Sequence, residues 1–289
     1  MLDNQNIILK NEHIEAVFKS TGAELISLCK DGKQFIFRDK AIWGYSCPIL
    51  FPICGGLKDD KFIYEGKEYT LAKHGFCRDA EFAVEAHTDT SVTFLITDSS
   101  ETLKCYPFNF EFRIIYTIDG DSLIVEYKTT NKTDGKMYYS VGCHEAYLCP
   151  EGFDNYKILF EEKETLDSHI VKGNLLDYET VNIIKDSDVL ELKKEYFEID
   201  ALAFSRFNSS CATLCANNGE RIVKVEFPGF SHLLLWTKNT CDAPYLCIEP
   251  WCGFPDMVDS VYDITKRPGI ISLQKGEAHS VTHTITFVK

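Results

Sequence analysis

The feature that most restricts this chain is strict side-chain alternation. Phe110, Phe112, Ile114, Tyr116 and Ile118 share one parity, and Asn109, Glu111 and Arg113 share the other. A period of two places successive side chains on opposite faces, so the stretch reads as a half-buried β-strand. Asp119, Gly120 and Asp121 then supply a turn, and Leu123, Val125 and Tyr127 alternate again before a second turn at residues 131–135. With a further strand at residues 137–141, three successive strands predict a meander. Near the C-terminus, Val281, His283, Ile285 and Phe287 alternate with Thr282, Thr284 and Thr286, and threonine favours strands. Shorter strands are read at residues 14–18, 91–97, 222–227 and 232–236, and no long amphipathic helix competes. Such strands, with 13% aromatic residues to fill a wide core, predict an all-β fold of packed antiparallel sheets. The charge-rich stretch 161–194 reads as an excursion over the surface. Without a repeat or linker, residues 1–289 read as a single domain.

Charge and cysteine content narrow the function classes. Forty-four acidic against 30 basic residues give a net charge of −14, which disfavours nucleic acid and anionic membranes as partners. The longest uncharged stretch, residues 41–57, contains Gly44, Pro48, Pro52, Gly55 and Gly56 and falls short of the roughly 20 apolar residues of a membrane span. The N-terminal residues lack a basic start followed by an apolar run, so the expected location is cytoplasmic. The 12 cysteines form no CxxC pair and are read mostly as reduced, buried apolar residues.

Four segments depart from routine strand sequence. In residues 73–78, His74 beside Gly75 permits close backbone approach by a ligand, or makes a turn histidine. His144 follows the strand at 137–141, where a rigid scaffold presents catalytic groups or ties down a structural histidine. Asp200 lies among apolar residues, either orienting substrate hydroxyls or serving as a helix cap or salt-bridge partner. Glu249 ends an apolar run before Pro250 and Trp251. A carboxylate buried there suits a general base of raised pKa, and Trp251 suits stacking on a sugar face; a local ion pair and a core tryptophan are the alternatives. No HxH, HExxH or facial-triad spacing is present, so no metal or cofactor is expected, and acid–base chemistry fits better.

Taken in order, the segment from Pro48 to Asp59, His74-Gly75-Phe76, Gly142-Cys143-His144, Asp200-Ala201-Leu202 and residues 248–253 resemble the aldose 1-epimerase (galactose mutarotase) superfamily. The likeness spans nearly the whole chain and is strongest to the bacterial branch associated with lactose and galactose use. It implies a β-supersandwich that binds a free aldose. It also implies that Glu249 is the general base, that His144 is the acid, and that His74 and Asp200 hold substrate hydroxyls. The expected activity is interconversion of the α and β anomers of a hexose such as galactose or glucose. A hexose-6-phosphate 1-epimerase and a non-catalytic carbohydrate-binding protein are the alternatives, and the oligomeric state is not legible. One departure stands out: Gly56 occupies the place where the family carries an arginine. Lys58 and Arg78 are the candidates to compensate, and if the role is unfilled, Gly56→Arg should lower KM.

Overall fold

A computed structural model of the chain describes residues 6–198 and 200–288. The alternating segments pair as their pattern requires. Phe110–Asp119 and Ser122–Asn131 form an antiparallel hairpin with Asp119 opposite Ser122 and Phe110 opposite Asn131. Ser91–Thr97 extends it on the far side. The expected third meander strand goes elsewhere, however. The neighbour of Ser122–Asn131 is the C-terminal strand Ala278–Phe287, and Met137–Tyr139 pairs instead with Ile271–Leu273. Asn131 explains the diversion: its buried side-chain amide donates to Gly135 O at 2.8 Å and Leu273 O at 2.9 Å, and its backbone N–H donates to Glu277 O. A buried asparagine must satisfy these bonds, and doing so ties the turn to the segment that precedes the last strand.

Among the described residues, 14 strands join one antiparallel sheet, from Val141–Gly142 and Tyr245–Cys252 at one end to Ala83–His87 at the other. A four-stranded sheet built from Ile7–Lys10, Ile14–Phe18, Leu25–Lys30 and Lys33–Gln34 lies beside it. The large sheet's apolar parity makes the core: Phe18 packs on Tyr116 at a 4.3 Å centroid distance, and Phe51 stacks on Phe112 at 4.2 Å. The one α-helix among the described residues is the single turn Thr102–Cys105. All the cysteines are free, and all but Cys29, Cys105 and Cys241 are buried.

The charge-rich stretch is corrected from a surface excursion to a long β-hairpin, Tyr156–Lys172 paired with Leu175–Glu191. Its first strand is paired on both sides, also meeting Cys211–Ala216 and Leu202–Phe204, whereas the second is largely exposed at the sheet edge. Exposure of that edge accounts for the charge, since charged side chains suppress edge-to-edge association.

Because Phe51 reaches Phe110, Phe112 and Tyr139 together, the core is concentrated at this ring cluster. Phe112→Ala should therefore cost about 3–5 kcal/mol in urea denaturation. A loss below about 1 kcal/mol would show that the cluster is not a centre of packing.

Candidate active site

The strand Tyr245–Cys252 is buried along its whole length and carries Glu249. His232–Trp236 pairs with one edge, setting Leu234 opposite Glu249. The other edge is shared by Val141–Gly142 and Glu145–Leu148, with Gly142 opposite Trp251 and Glu145 opposite Ile248. His144 lies between those two short strands, so the register that fixes Glu249 also fixes His144. Their side chains meet with His144 Nε2 at 3.3 Å from Glu249 Oε2. Gly142 lets Trp251 pack against this short strand, because a Cβ there would stand 2.4 Å from Cδ1 of Trp251.

The pair opens into a cavity of about 180 Å³ whose lining also includes His74, Lys73, Arg78, Asp200 and Asn174. His74 Nδ1 accepts a hydrogen bond from the Gly55 N–H at 3.2 Å, and the His74 N–H donates to Gly55 O. Burial first, then the Lys73 charge and coupling to His144, hold its pKa well below the ordinary 6.5. His74 is thus a neutral imidazole with its Nε2–H free to donate. Asp200 adopts a φ of +108° and faces Lys73 at 3.9 Å. All three tryptophans of the chain line the cavity, with Trp43 and Trp236 at 5.0 and 5.5 Å ring-centroid distances from His144.

Burial pushes Glu249 well above the ordinary 4.5, with Asp200 and Glu145 adding to the shift and Lys73 opposing it. The same burial, aided by Lys73 and Arg78, pushes His144 down to about 3. Both shifts disfavour charge, so at neutral pH the pair carries one proton; a second proton, or loss of the only one, leaves net charge in a desolvated pocket. Glu249 Oε1 and His144 Nδ1 have no hydrogen-bond partner among the described residues. Buried polar atoms cost about 1–3 kcal/mol each when unsatisfied, which a polyhydroxylated ligand relieves.

The structure thus gathers Glu249, His144, His74, Asp200, Trp251 and Arg78 at one cavity. Arg78 lies over the Tyr45 ring, 5.2 Å from its centroid. Lys58 is not among the lining residues: its Nζ donates to Ser260 O at 3.2 Å and lies over the Tyr262 ring. Trp251 is wall and positioning group together, since its Nε1–H donates to Cys143 O at 2.9 Å. Gly56 is also corrected. Its φ lies outside the left-handed region, but a Cβ would stand 2.6 Å from Asn174 O and 2.7 Å from Asn174 Cβ, so no arginine enters there without displacing the hairpin tip. Sequence reasoning missed Trp43, Trp236 and Asn174. For Trp43 the signal was a large aromatic beside Gly44 in an uncharged loop; Trp236, ending a regular strand, gave none.

Among the described residues, two trios could offer a metal three donor atoms within 4.8 Å of one another: His144 with Cys247 and Glu249, and Cys143 with Glu145 and His283. Each needs a thiolate, and burial raises the pKa of both Cys247 and Cys143 well above the ordinary 9.0, with neighbouring glutamates adding to it. The donor chemistry does not favour a cation at either place.

Comparison with known proteins accords with this geometry. The family model for aldose 1-epimerase matches residues 5–286, and the chain belongs to that family. It is 32% identical to the plasmid-borne protein LacX of Lactococcus lactis subsp. lactis, over 98% of this chain and 99% of that one. Among solved structures, a galactose mutarotase related enzyme from Lactobacillus acidophilus superposes with a TM-score of 0.94 at 31% identity, covering 99% of this chain and 98% of the other. A galactose mutarotase-like protein from Lactobacillus casei gives 0.92 at 25% identity, covering 98% and 100%. The all-β fold with large antiparallel sheets is therefore that of galactose mutarotase-like proteins. No helix among the described residues is long and apolar enough to cross a membrane.

The raised pKa of Glu249 has a consequence for stability. A carboxyl whose folded pKa exceeds its unfolded value contributes stability that is present below the unfolded pKa and lost as pH rises through the folded one. Glu249→Gln has no such titration. In thermal denaturation the variant should melt at or above the wild-type temperature, the gap widening as pH rises above the ordinary carboxylate range. A variant less stable throughout would show that the neighbours stabilise the ionised carboxylate.

Proposed function

We propose that this protein is an aldose 1-epimerase acting on an unphosphorylated hexose such as galactose or glucose, with Glu249 as base and His144 as acid. The observation that carries the reading is their 3.3 Å separation in a buried cavity. The anomeric hydroxyl and the ring oxygen of a cyclic aldose are bonded to the same carbon. A base and an acid that serve both must therefore reach two oxygens held a single bond angle apart, which two neighbouring groups on one cavity wall can do.

Glu249 takes the anomeric O–H proton while His144 gives a proton to the ring oxygen. The bond between the anomeric carbon and the ring oxygen breaks, leaving an aldehyde and a free hydroxyl. Rotation about the adjacent carbon–carbon bond presents the other aldehyde face, and reclosure returns both protons. The base gains what the acid loses, so the pair cycles between two arrangements of one proton and the site's net charge is constant. Constant charge matters in a desolvated pocket, where net charge is costly. His74 and Asp200 hold substrate hydroxyls, as donor and acceptor, and the tryptophans offer faces for the sugar's apolar side. Glu249 and His144 supply and accept every proton that ring opening and reclosure require, so activity should survive exhaustive dialysis against EDTA.

Glu249→Gln and His144→Asn should each lower kcat by ~10²–10⁴-fold in polarimetry of freshly dissolved α-galactose and α-glucose. A loss under about tenfold in either folded variant would remove that residue from its role. The same assay on glucose 6-phosphate tests the phosphosugar reading, which draws on Lys73 and Arg78 in the lining. A purely binding protein has no need of the acid–base pair.

The pH profile follows from the shared proton. A second proton is added only near the depressed His144 value of about 3, and the single proton is lost only above the ordinary carboxylate range. kcat/KM should thus show no acid limb near the ordinary imidazole value and should fall only as pH rises well above the ordinary carboxylate range. An acid limb near the ordinary imidazole value of 6.5 would show His144 titrating independently.

A further inference from the structure

The tip of the long hairpin reaches the cavity, and the packing around it is specific. Gly173, with a φ of +67°, turns the chain into Asn174, whose carbonyl and Cβ occupy the space a side chain at Gly56 would need. The backbone locks the arrangement: Leu176 N–H donates to Asp256 O, Val258 N–H donates to Leu176 O, and Asp256 N–H donates to Gly56 O, each at 3.0 Å. Leu176 is buried in an apolar cluster with Leu50, Cys54, Leu234, Trp251 and Phe254. Asp256 is itself fixed by the buried Arg267, whose Nε donates to Oδ1 at 2.7 Å, and by the Lys58 N–H, which donates to Oδ2. Asn174 lines the same cavity as Glu249 and His144, yet none of the described residues hydrogen-bonds its side-chain amide.

We propose that Asn174, whose carbonyl and Cβ fill the space from which Gly56 withholds a side chain, is a substrate-binding residue whose neutral amide reads a sugar hydroxyl. The proposal rests on the aldose reading above. A hydroxyl both donates and accepts, and so does a carboxamide, whereas a guanidinium only donates. An amide here therefore matches an uncharged hydroxyl and adds no cation to the cavity. Asn174 is separate from the His144–Glu249 pair, so its loss weakens binding rather than proton transfer.

Asn174→Ala retains the Cβ and carbonyl that touch Gly56, which preserves the turn. Its KM for the preferred hexose should rise about 3–10-fold, with kcat changed less than about twofold. Across a series of monodeoxy hexoses the penalty should vanish for the one lacking the partner hydroxyl. Asn174→Asp, which keeps shape and acceptor but loses the donor, should also raise KM. Gly56→Ala, which pushes the tip away, should reproduce the Asn174→Ala defect. An Asn174→Ala variant with wild-type melting temperature and unchanged KM on every sugar overturns the proposal and leaves the epimerase reading intact. If the wild type binds hexoses in calorimetry but does not accelerate mutarotation, the epimerase reading falls. Asn174 is then judged by Kd, where a 3–10-fold weakening supports it and an unchanged value overturns it.

Discussion

Removing Glu249 and His144 from water 3.3 Å apart is costly for either group once ionised, on the order of several kcal/mol each, so the site depends on a scaffold that tolerates the pair and prevents its escape. That scaffold is the strand Tyr245–Cys252, buried throughout and hydrogen-bonded on both edges. The backbone of a doubly paired strand cannot move toward solvent without breaking ladder bonds, so the point from which Glu249 projects is fixed. His144 cannot retreat either, because the short strands before and after it pair with that same strand. The sheet thus imposes a distance that free side chains would not keep.

A buried histidine–glutamate contact and a buried ion pair brace this arrangement from different directions. Behind the site, His283 Nε2 on the C-terminal strand meets Glu145 Oε1 at 3.1 Å, one residue after His144. Beside it, Arg267 and Asp256 secure the wall formed by Gly56 and the hairpin tip. Buried polar pairs add little net stability relative to apolar packing, but breaking one leaves its partner group buried and unsatisfied. Their value here is positional: each ties a segment distant in sequence to the walls of the cavity.

What the sequence revealed follows from which interactions are local. Alternation in residues 110–127 and 281–287 was readable because a half-buried strand writes its environment into every second residue. The partner of Ser122–Asn131 was not, since it depends on Asn131 reaching Leu273, a contact without periodic trace. The hairpin was hidden for the same reason in reverse, because an exposed edge strand has the composition of a loop. At the site, Glu249 and His144 stood out through chemically unusual neighbours, and resemblance supplied their roles. Lys58 was misjudged because adjacency to the Gly-Gly turn says nothing about side-chain direction; a 3₁₀ turn at Lys58–Asp60 carries it toward Ser260 and Tyr262.

The cavity's electrostatics also diverge from those of the whole chain. Against a net charge of −14, the lining brings Lys73 and Arg78 close to the reacting groups. Lys73 opposes burial at Glu249, because a cation favours the carboxylate, yet reinforces it at His144, because a cation disfavours the imidazolium. Its net effect is to ease departure of the pair's single proton. Asp200, 3.9 Å from Lys73, acts in the opposite sense at Glu249 and partly cancels that field. On the proposed mechanism, a sugar hydroxyl held by Asp200 would weaken this cancellation and leave Lys73 to favour the ionised form of Glu249. Substrate binding and activation of the base would then be coupled through one cation near two carboxylates.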